Sequence, residues 1–472
     1  MDGLKKRATF YPNFFALRRT QNGSVKFNLV LLFVFSIFLL SNDETFKIAS
    51  MNASSIVAML MVLVFLLDGF GRGRFVLQRH SFQKPLLLLF LWALISLLIS
   101  KIDPSKAVPD ESYSYVWATG LNSPDWRGVS FLLRLFLSIF AINFIISNVN
   151  TEERYFKVIN YFIFAYSLVC VAVFTQIILY YFFNVAIGHL YLGGEYMDNA
   201  LADYIGIVRV GGYVGEPSNI ALLLVSGYFL LIAVAIKKHS MIWFCGKFLK
   251  TICVIATIDL LFTFSATWIT AALISLMLSG RRYLNKKIFI FALIVALGFI
   301  FYKPFKEMVL LKSFNEVISL NVRTYSWLAG LSIFKNNIIT GAGIGQSVFF
   351  MPIEMGNITD MVLSEFSTMR FPPMNTYIQW AAETGIGGLL ILSYLFYRLF
   401  KYKRIIMDAE YQNIIKFGLG GGLIAVAIAM NAVPDYLYVG CVNFLFTMYV
   451  AGLKVFKKRS CIEHFEADCS RR

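Results

Sequence analysis

The sequence predicts an all-α polytopic membrane protein with about twelve transmembrane helices in a single membrane domain spanning 1–472. Three observations predict it. The 472 residues are 58% hydrophobic and only 15% charged, with a mean hydropathy of +0.68. Apolar runs of roughly 15 to 25 residues recur along the whole chain, the length that crosses a hydrocarbon core. Lys and Arg gather in alternate short connections between those runs, as the positive-inside rule requires. A transmembrane β-barrel would show short segments of alternating hydrophobicity instead, and the chain has none.

The apolar runs place spans at 27–41, 50–67, 85–100, 128–147, 156–186, 217–236, 249–264, 266–279, 287–302, 374–398, 416–432 and 437–455. The seventh and eighth come from one stretch, FLKTICVIATIDLLFTFSATWITAALISLMLSG, read as a tight helical hairpin turning near Ser265. An even number of spans puts both termini on one side. The basic connections, among them GRGRFVLQRHSFQK, IKKHS, GRRYLNKK and RLFKYKR, then fall on that same side, which is the cytoplasmic one. The basic leader 1–26 and the tail 456–472 are cytoplasmic on this reading, and the leader shows no small-residue cleavage pattern. Two large segments, 187–216 and 303–373, lie on the outer side. The second contains VRTYSWLAGLSIFKNN, in which Trp327, Leu331 and Phe334 share a helix face. That helix is expected to lie along the membrane surface or to cap the bundle.

The formal net charge of +16 is explained by the cytoplasmic connections, so nucleic acid is not an expected partner. Cys170, Cys245, Cys253, Cys441, Cys461 and Cys469 show no metal-ligand spacing, and His80, His189, His239 and His464 are scattered. Neither a disulfide framework nor a metal site is expected. Arg134 and Asp259 are charges inside predicted spans, and pairing with each other is one structural use for them.

Three stretches could carry chemistry, and each has a structural reading beside the functional one. In RVGGYVGEPSNIA, Pro217 suits the first turn of a helix and Glu216 sits where the helix dipole favours a carboxylate. Gly211, Gly212 and Gly215 leave the backbone free to bend around a ligand beside Arg209 and Tyr213. A hinge with a capped helix and an internal ion pair accounts for the same residues. In NVRTYSWLAGLSIFKNNIITGAGIGQSVFF, Arg323 precedes the amphipathic helix and Lys335 follows it. GAGIG fails as a dinucleotide site, because no strand precedes it, and reads as a glycine turn. In RFPPMNTYIQWAAETGIGGLLILSYLF, Asn375, Gln379 and Glu383 are spaced four apart and share one helix face. Hydrogen bonding between helices accounts for Gln379 without any ligand.

Together these stretches resemble the O-antigen polymerase and ligase superfamily, the Wzy-type membrane glycosyltransferases of bacterial surface-polysaccharide assembly. VRTYSWLAGLSIFKNNIITGAGIGQSVFF resembles its Arg-x-x-x-Trp segment with a Gly-x-Gly turn, and MNTYIQWAAETGIGGLLILSYLF its Asn-x-Tyr and Glu-x-Gly signature. TFSATWITAALISL is similar to its Thr-x-Ser hairpin, and RVGGYVGEPS to the Arg and Glu-Pro element of polymerase members. The resemblance covers about 200 to 400. It implies a C-type glycosyltransferase fold with two large periplasmic loops, and an inverting transfer that needs no metal and no cofactor. The donor it implies is an undecaprenyl-diphosphate-linked oligosaccharide, used at the periplasmic face of the inner membrane among membrane lipids. A chain-length-regulating co-polymerase is a further partner it implies.

On that resemblance Arg209 and Arg323 grip the diphosphate and Glu216 meets the acceptor hydroxyl. Tyr213, Lys335, Arg370, Asn375 and Tyr377 bind substrate. Arg suits the role because its planar fork holds phosphate oxygens bidentately. The chain departs from the pattern at Met374, where many members, ligases particularly, carry His. Polymerase is therefore the expected function. A ligase that transfers glycan to lipid A core is the alternative within the class. A lipid-linked glycan flippase and a non-catalytic scaffold are alternatives from other classes. Flippases place their charges near the membrane midplane, whereas the charged motifs here fall in outer segments.

Overall fold

The computed structural model describes residues 25–39, 53–71, 80–110, 120–183, 217–263, 265–280, 323–358, 372–402, 409–433 and 440–469, with Gly73, Ser112, Val185, Val210 and Met407. Every regular element among them is helical. In chain order these are α1 (Val25–Leu39), α2 (Ala53–Gly71), α3 (Gln83–Ile102), α4 (Arg127–Asn148), α5 (Glu152–Phe183), α6 (Pro217–Ile236), α7 (Gly246–Phe262) and α8 (Ala266–Ser275). Then come α9 (323–336), α10 (Ser347–Ile358) and α11 (Thr376–Tyr402). α12 starts at Ala409–Gln412, passes through a π-helical turn at Asn413–Leu419 and continues as Gly420–Ala429. α13 is Gly440–Cys469.

Helices stand at eleven of the segments read as spans, and the ninth, 287–302, lies outside the described residues. Five helices are long and apolar enough to cross a membrane: Ala53–Gly71, Gln83–Ile102, Arg127–Asn148, Glu152–Phe183 and Asn219–Ile236. Val25–Ile37, Thr267–Gly280, Asn413–Ala429 and Gly440–Phe456 are shorter apolar helices. The stretch expected to turn near Ser265 does so. α7 ends at Phe262, and the Thr263 hydroxyl donates to Leu260 O at 2.7 Å and accepts from the Ser265 N–H at 3.3 Å. α8 starts one residue later. The short polar side chains thus satisfy backbone groups that a helix break would leave bare.

Connections gather at two ends of the bundle, alternating along the chain. At one end the Asn160 amide of α5 donates to Met241 O at 2.8 Å, Tyr411 donates to Glu152 Oε1 at 2.7 Å, and Arg398 donates to Ser81 O at 2.9 Å. The His239 ring stacks on Phe156 there, with centroids 4.0 Å apart. At the other end Lys106 donates to Gly341 O at 2.9 Å, Ser112 to Phe349 O at 2.9 Å, the Val210 N–H to Phe262 O at 3.1 Å, and the Thr376 N–H to Met430 O at 2.9 Å. The predicted inner connections supply the first end and the predicted outer ones the second.

Two expectations change. Arg134 and Asp259 do not pair. The Arg134 guanidinium lies on the exposed side of α4 over the Phe131 ring, 5.5 Å from its centroid. Asp259 is fully buried on α7, and neither of its oxygens has a hydrogen-bond partner among the described residues. The two helices turn these side chains to different surroundings, which spacing along the chain does not reveal. The second change concerns α9. Its buried face is Ser326, Ala329, Gly330 and Ile333, not the Trp327, Leu331 and Phe334 stripe, and Leu331 is 45% exposed. Small side chains win the inner face because α9 packs closely on Pro373 and Ile378. A Cβ on Gly330 would come within 2.8 Å of both residues.

The longest described segment that departs from plain helix is α11. Gly385 interrupts it at φ 67°, ψ −165°. A Cβ at this position would meet Ile339 O at 2.3 Å, besides the strain of a left-handed φ. Gly385→Ala is expected to lower stability by roughly 1–3 kcal/mol from backbone strain alone. The check is thermal unfolding of detergent-solubilised protein, with Ala substituted at exposed Tyr397 as a control that leaves the midpoint unchanged.

Candidate functional site

α9 and α10 form a helical hairpin. α10 folds back on α9, so that Glu354 accepts from Ser332 Oγ at 2.6 Å and from Asn336 Nδ2 at 3.3 Å. The tip of the hairpin is GAGIG. Its three glycines, Gly341, Gly343 and Gly345, have φ of 73°, 103° and 72°. This tip is built into the break of α11. The Ala342 N–H donates to Ala382 O at 2.8 Å and the Gly343 N–H to Glu383 O at 3.1 Å, while the Ile386 N–H donates to Ile338 O at 2.7 Å. A Cβ on Gly341 would sit 2.3 Å from the Glu383 carbonyl carbon, so only glycine allows the approach.

α3 closes the same break from the other side. Ser96 Oγ donates to Glu383 O at 2.7 Å and Trp92 Nε1 to Thr384 O at 2.8 Å. Lys106, just past α3, also donates to Thr340 Oγ1. Burial pulls the Lys106 ammonium below its ordinary pKa, partly opposed by Asp103 nearby. The carbonyls that a broken helix exposes are therefore taken up within the protein, as a low-dielectric setting demands. The two limbs of α11 fold back on each other at Gly385, so that the Tyr377 and Phe396 rings lie 6.1 Å apart. Ile339, 70% exposed, and Ile338 present apolar surface beside exposed Ile386 and Leu390. The amphipathic helix expected in this segment is one limb of the hairpin.

The Asn375, Gln379 and Glu383 face points inward, and all three side chains are buried. Ser347 Oγ donates to Glu383 Oε1 at 2.7 Å and Gln379 Nε2 to the same oxygen at 3.3 Å. Asn375 Oδ1 accepts from the Tyr377 and Ile378 N–H groups at 2.9 and 3.1 Å, and its amide donates to Asn431 O at 2.9 Å. It caps α11 and ties it to the end of α12. Tyr377 donates to Ala427 O at 2.7 Å.

The predicted site residues divide into three groups. Arg323 is exposed at the start of α9. That end is held against the start of α11, because Trp327 Nε1 donates to Met374 O at 2.8 Å and the Met374 N–H donates to Ser326 Oγ at 2.8 Å. Arg323, Asn375 and Tyr377 are therefore carried by elements that meet. Lys335 is exposed but stands twelve residues further along α9, about 18 Å down the helix axis. Arg209, Tyr213, Glu216 and Arg370 lie outside the described residues. Val210, next to Arg209, bonds to the end of α7 as given above. Sequence reasoning missed Ser326, Ser347, Ser96 and Trp92, and named Trp327 without its bond to Met374. The second glycine cluster after Glu383, TGIGG, was the available signal that GAGIG had a partner.

The comparisons bear on this same region. Residues 251–393 match the family model described as O-Antigen ligase. That stretch, less than a third of the chain, is similar to the O-antigen ligase family. The match runs from α7 through the hairpin to just past the break of α11. It includes Arg323, Lys335, Arg370, Asn375 and Tyr377, and excludes Arg209, Tyr213 and Glu216. It indicates a function of O-antigen ligase or polymerase type. With the apolar helices it makes the chain a multi-pass membrane protein. No curated protein matches the chain.

Ser347 is the nearer donor to the buried Glu383 carboxyl. Ser347→Ala is expected to cost about 1–3 kcal/mol, the range for stripping a partner from a buried polar group. The thermal midpoint of the variant against the parent protein, both in detergent, checks it.

Proposed function

We propose that the protein is a polymerase of a bacterial surface polysaccharide of O-antigen or capsule type. It transfers a growing glycan from undecaprenyl diphosphate onto a lipid-linked repeat unit at the periplasmic face of the inner membrane. The acceptor hydroxyl oxygen bonds to the anomeric carbon. The bond from that carbon to the diphosphate oxygen breaks with inversion, and the diphosphate leaves with the electron pair. No metal is needed, because fixed guanidinium groups stabilise the leaving charge. Arg323 and Arg209 hold the diphosphate, with Arg370 as an auxiliary, and Glu216 takes the hydroxyl proton. Tyr213, Asn375 and Tyr377 line the approach. Lys335 is placed away from the diphosphate by its distance along α9, and meets more remote parts of the glycan. A chain-length-regulating co-polymerase is the partner this reading implies.

The observation that carries the reading is the docking of the Arg323 end of α9 on Met374, at the start of α11. An exposed guanidinium there supplies positive charge at the described start of α9, which favours an anion. Backbone bonds fix position 374, yet its thioether cannot accept a proton at neutral pH. The ligase-type His therefore has no substitute there, which favours chain extension over ligation. A second reading, ligase, is favoured by the description of the matched family model.

Surface glycan in a deletion strain separates the two. Loss of a polymerase leaves a single repeat on the core, whereas loss of a ligase leaves free lipid-linked polymer. Complementation with Arg323→Ala is expected to reduce extension by roughly 10²–10³-fold, the scale for removing one group that stabilises developing charge. Arg209→Ala and Glu216→Ala are expected to do the same at unchanged membrane abundance. Wild-type polymer in all three strains removes the catalytic assignment.

A further inference from the structure

A cavity of about 80 Å³ lies between α3, α4, α11, α12 and α13, and no residue of the hairpin lines it. Leu86, Ile142 and Leu399 line one end and Ala427, Met430 and Val442 the other. No charged side chain lines it, and Ser138 and Asn443 are its polar residues. α4 contributes from Leu135 to Ile142 and α12 from Leu423 to Met430, each about 10 Å of helix. The space is thus a slot along the bundle. At 10–15 Å³ for each small group it takes roughly five to eight methylene-sized groups in line.

The two ends of the slot differ. The Met430 end closes on the start of α11, where Thr376 and Tyr377 donate to the Met430 and Ala427 carbonyls. At the Leu399 end stands Arg398, whose Nη2 donates to Ser81 O at 2.9 Å and Nη1 to Tyr394 Oη at 3.0 Å. Lys84 and Lys401 are exposed on the same two helices within about one turn of it. Three basic groups among the described residues, Lys84, Arg398 and Lys401, thus gather at this end.

We propose that the slot binds one acyl chain of an anionic phospholipid, with the headgroup at Arg398 and Lys84. A slim unbranched chain fills space that water would not wet, and basic groups at one mouth supply the counter-charge that an anionic headgroup needs. A methyl-branched polyprenyl chain suits the narrow slot less. Its diphosphate would also sit at the basic end, opposite the start of α11. The site is separate from the transfer reaction and does not rest on it.

The test uses the full chain, reconstituted into nanodiscs with equal phosphatidylglycerol and phosphatidylcholine of the same chain length. Lipid that survives detergent exchange is quantified by mass spectrometry. Phosphatidylglycerol is expected to be enriched roughly fivefold in that pool, the scale for one basic group at a membrane surface. Lys84→Gln, an exposed change that leaves thermal unfolding in detergent unaltered, brings the enrichment toward that of the supplied mixture, and Arg398→Gln does so further. Ser138→Phe, which fills the slot, removes the retained lipid. Should that variant fail to fold, Lys84→Gln decides alone. Equal retention of the two lipids, enrichment indifferent to Lys84→Gln, or retention of an added polyprenyl phosphate in preference to phospholipid overturns the proposal.

Discussion

The break of α11 at Glu383–Gly385 is the constraint on which the arrangement of the site depends. A helix interrupted inside an apolar bundle exposes carbonyls and N–H groups that lipid cannot satisfy. Here the hairpin tip and α3 take them up from two sides, through Gly343, Ile338, Ser96 and Trp92. That bonding fixes the depth and rotation of the hairpin. Since α9 is one limb of it, the position of Arg323 against the start of α11 follows in part from bonds made at the other end of the hairpin. Ser326 and Trp327 then hold the outer end of α9, so the guanidinium is located at both ends of its own helix.

Polar side chains near the break serve the backbone before they serve any ligand. Asn375 spends its side-chain oxygen on the first N–H groups of α11 and its amide on α12. Glu383 is buried with Ser347 and Gln379 against it. The inward row at 375, 379 and 383 is thus a seam joining α11 to its neighbours. The cation at Arg323 is left outside that seam, exposed at the described start of α9.

How much was legible in the sequence follows from the kind of signal involved. Runs of apolar residues are long and redundant, so a helix stands at nearly every segment they mark, and the turn at Ser265 follows from the polar pair at its centre. The resemblance of the GAGIG and MNTY stretches agrees with the family match over 251–393. The inner face of α9 was not legible, because apolar periodicity ranks Trp327 and Leu331 above Ala329 and Gly330, while close packing ranks them in reverse. Nor was the partnership of GAGIG with the break of α11, which joins glycines some forty residues apart through backbone groups that every residue type possesses. Arg134 and Asp259 show the same limit, since two charges in apolar helices need not face each other.

Because α9 and α10 enter and leave by the same end, they add two helices to the chain and no crossing. The described start of α9 and the start of α11 stand together, joined through Trp327 and Met374. An evolutionary lengthening or trimming of the limbs of the hairpin would alter what the outer surface offers a substrate. The sidedness of every later helix would stay as it is.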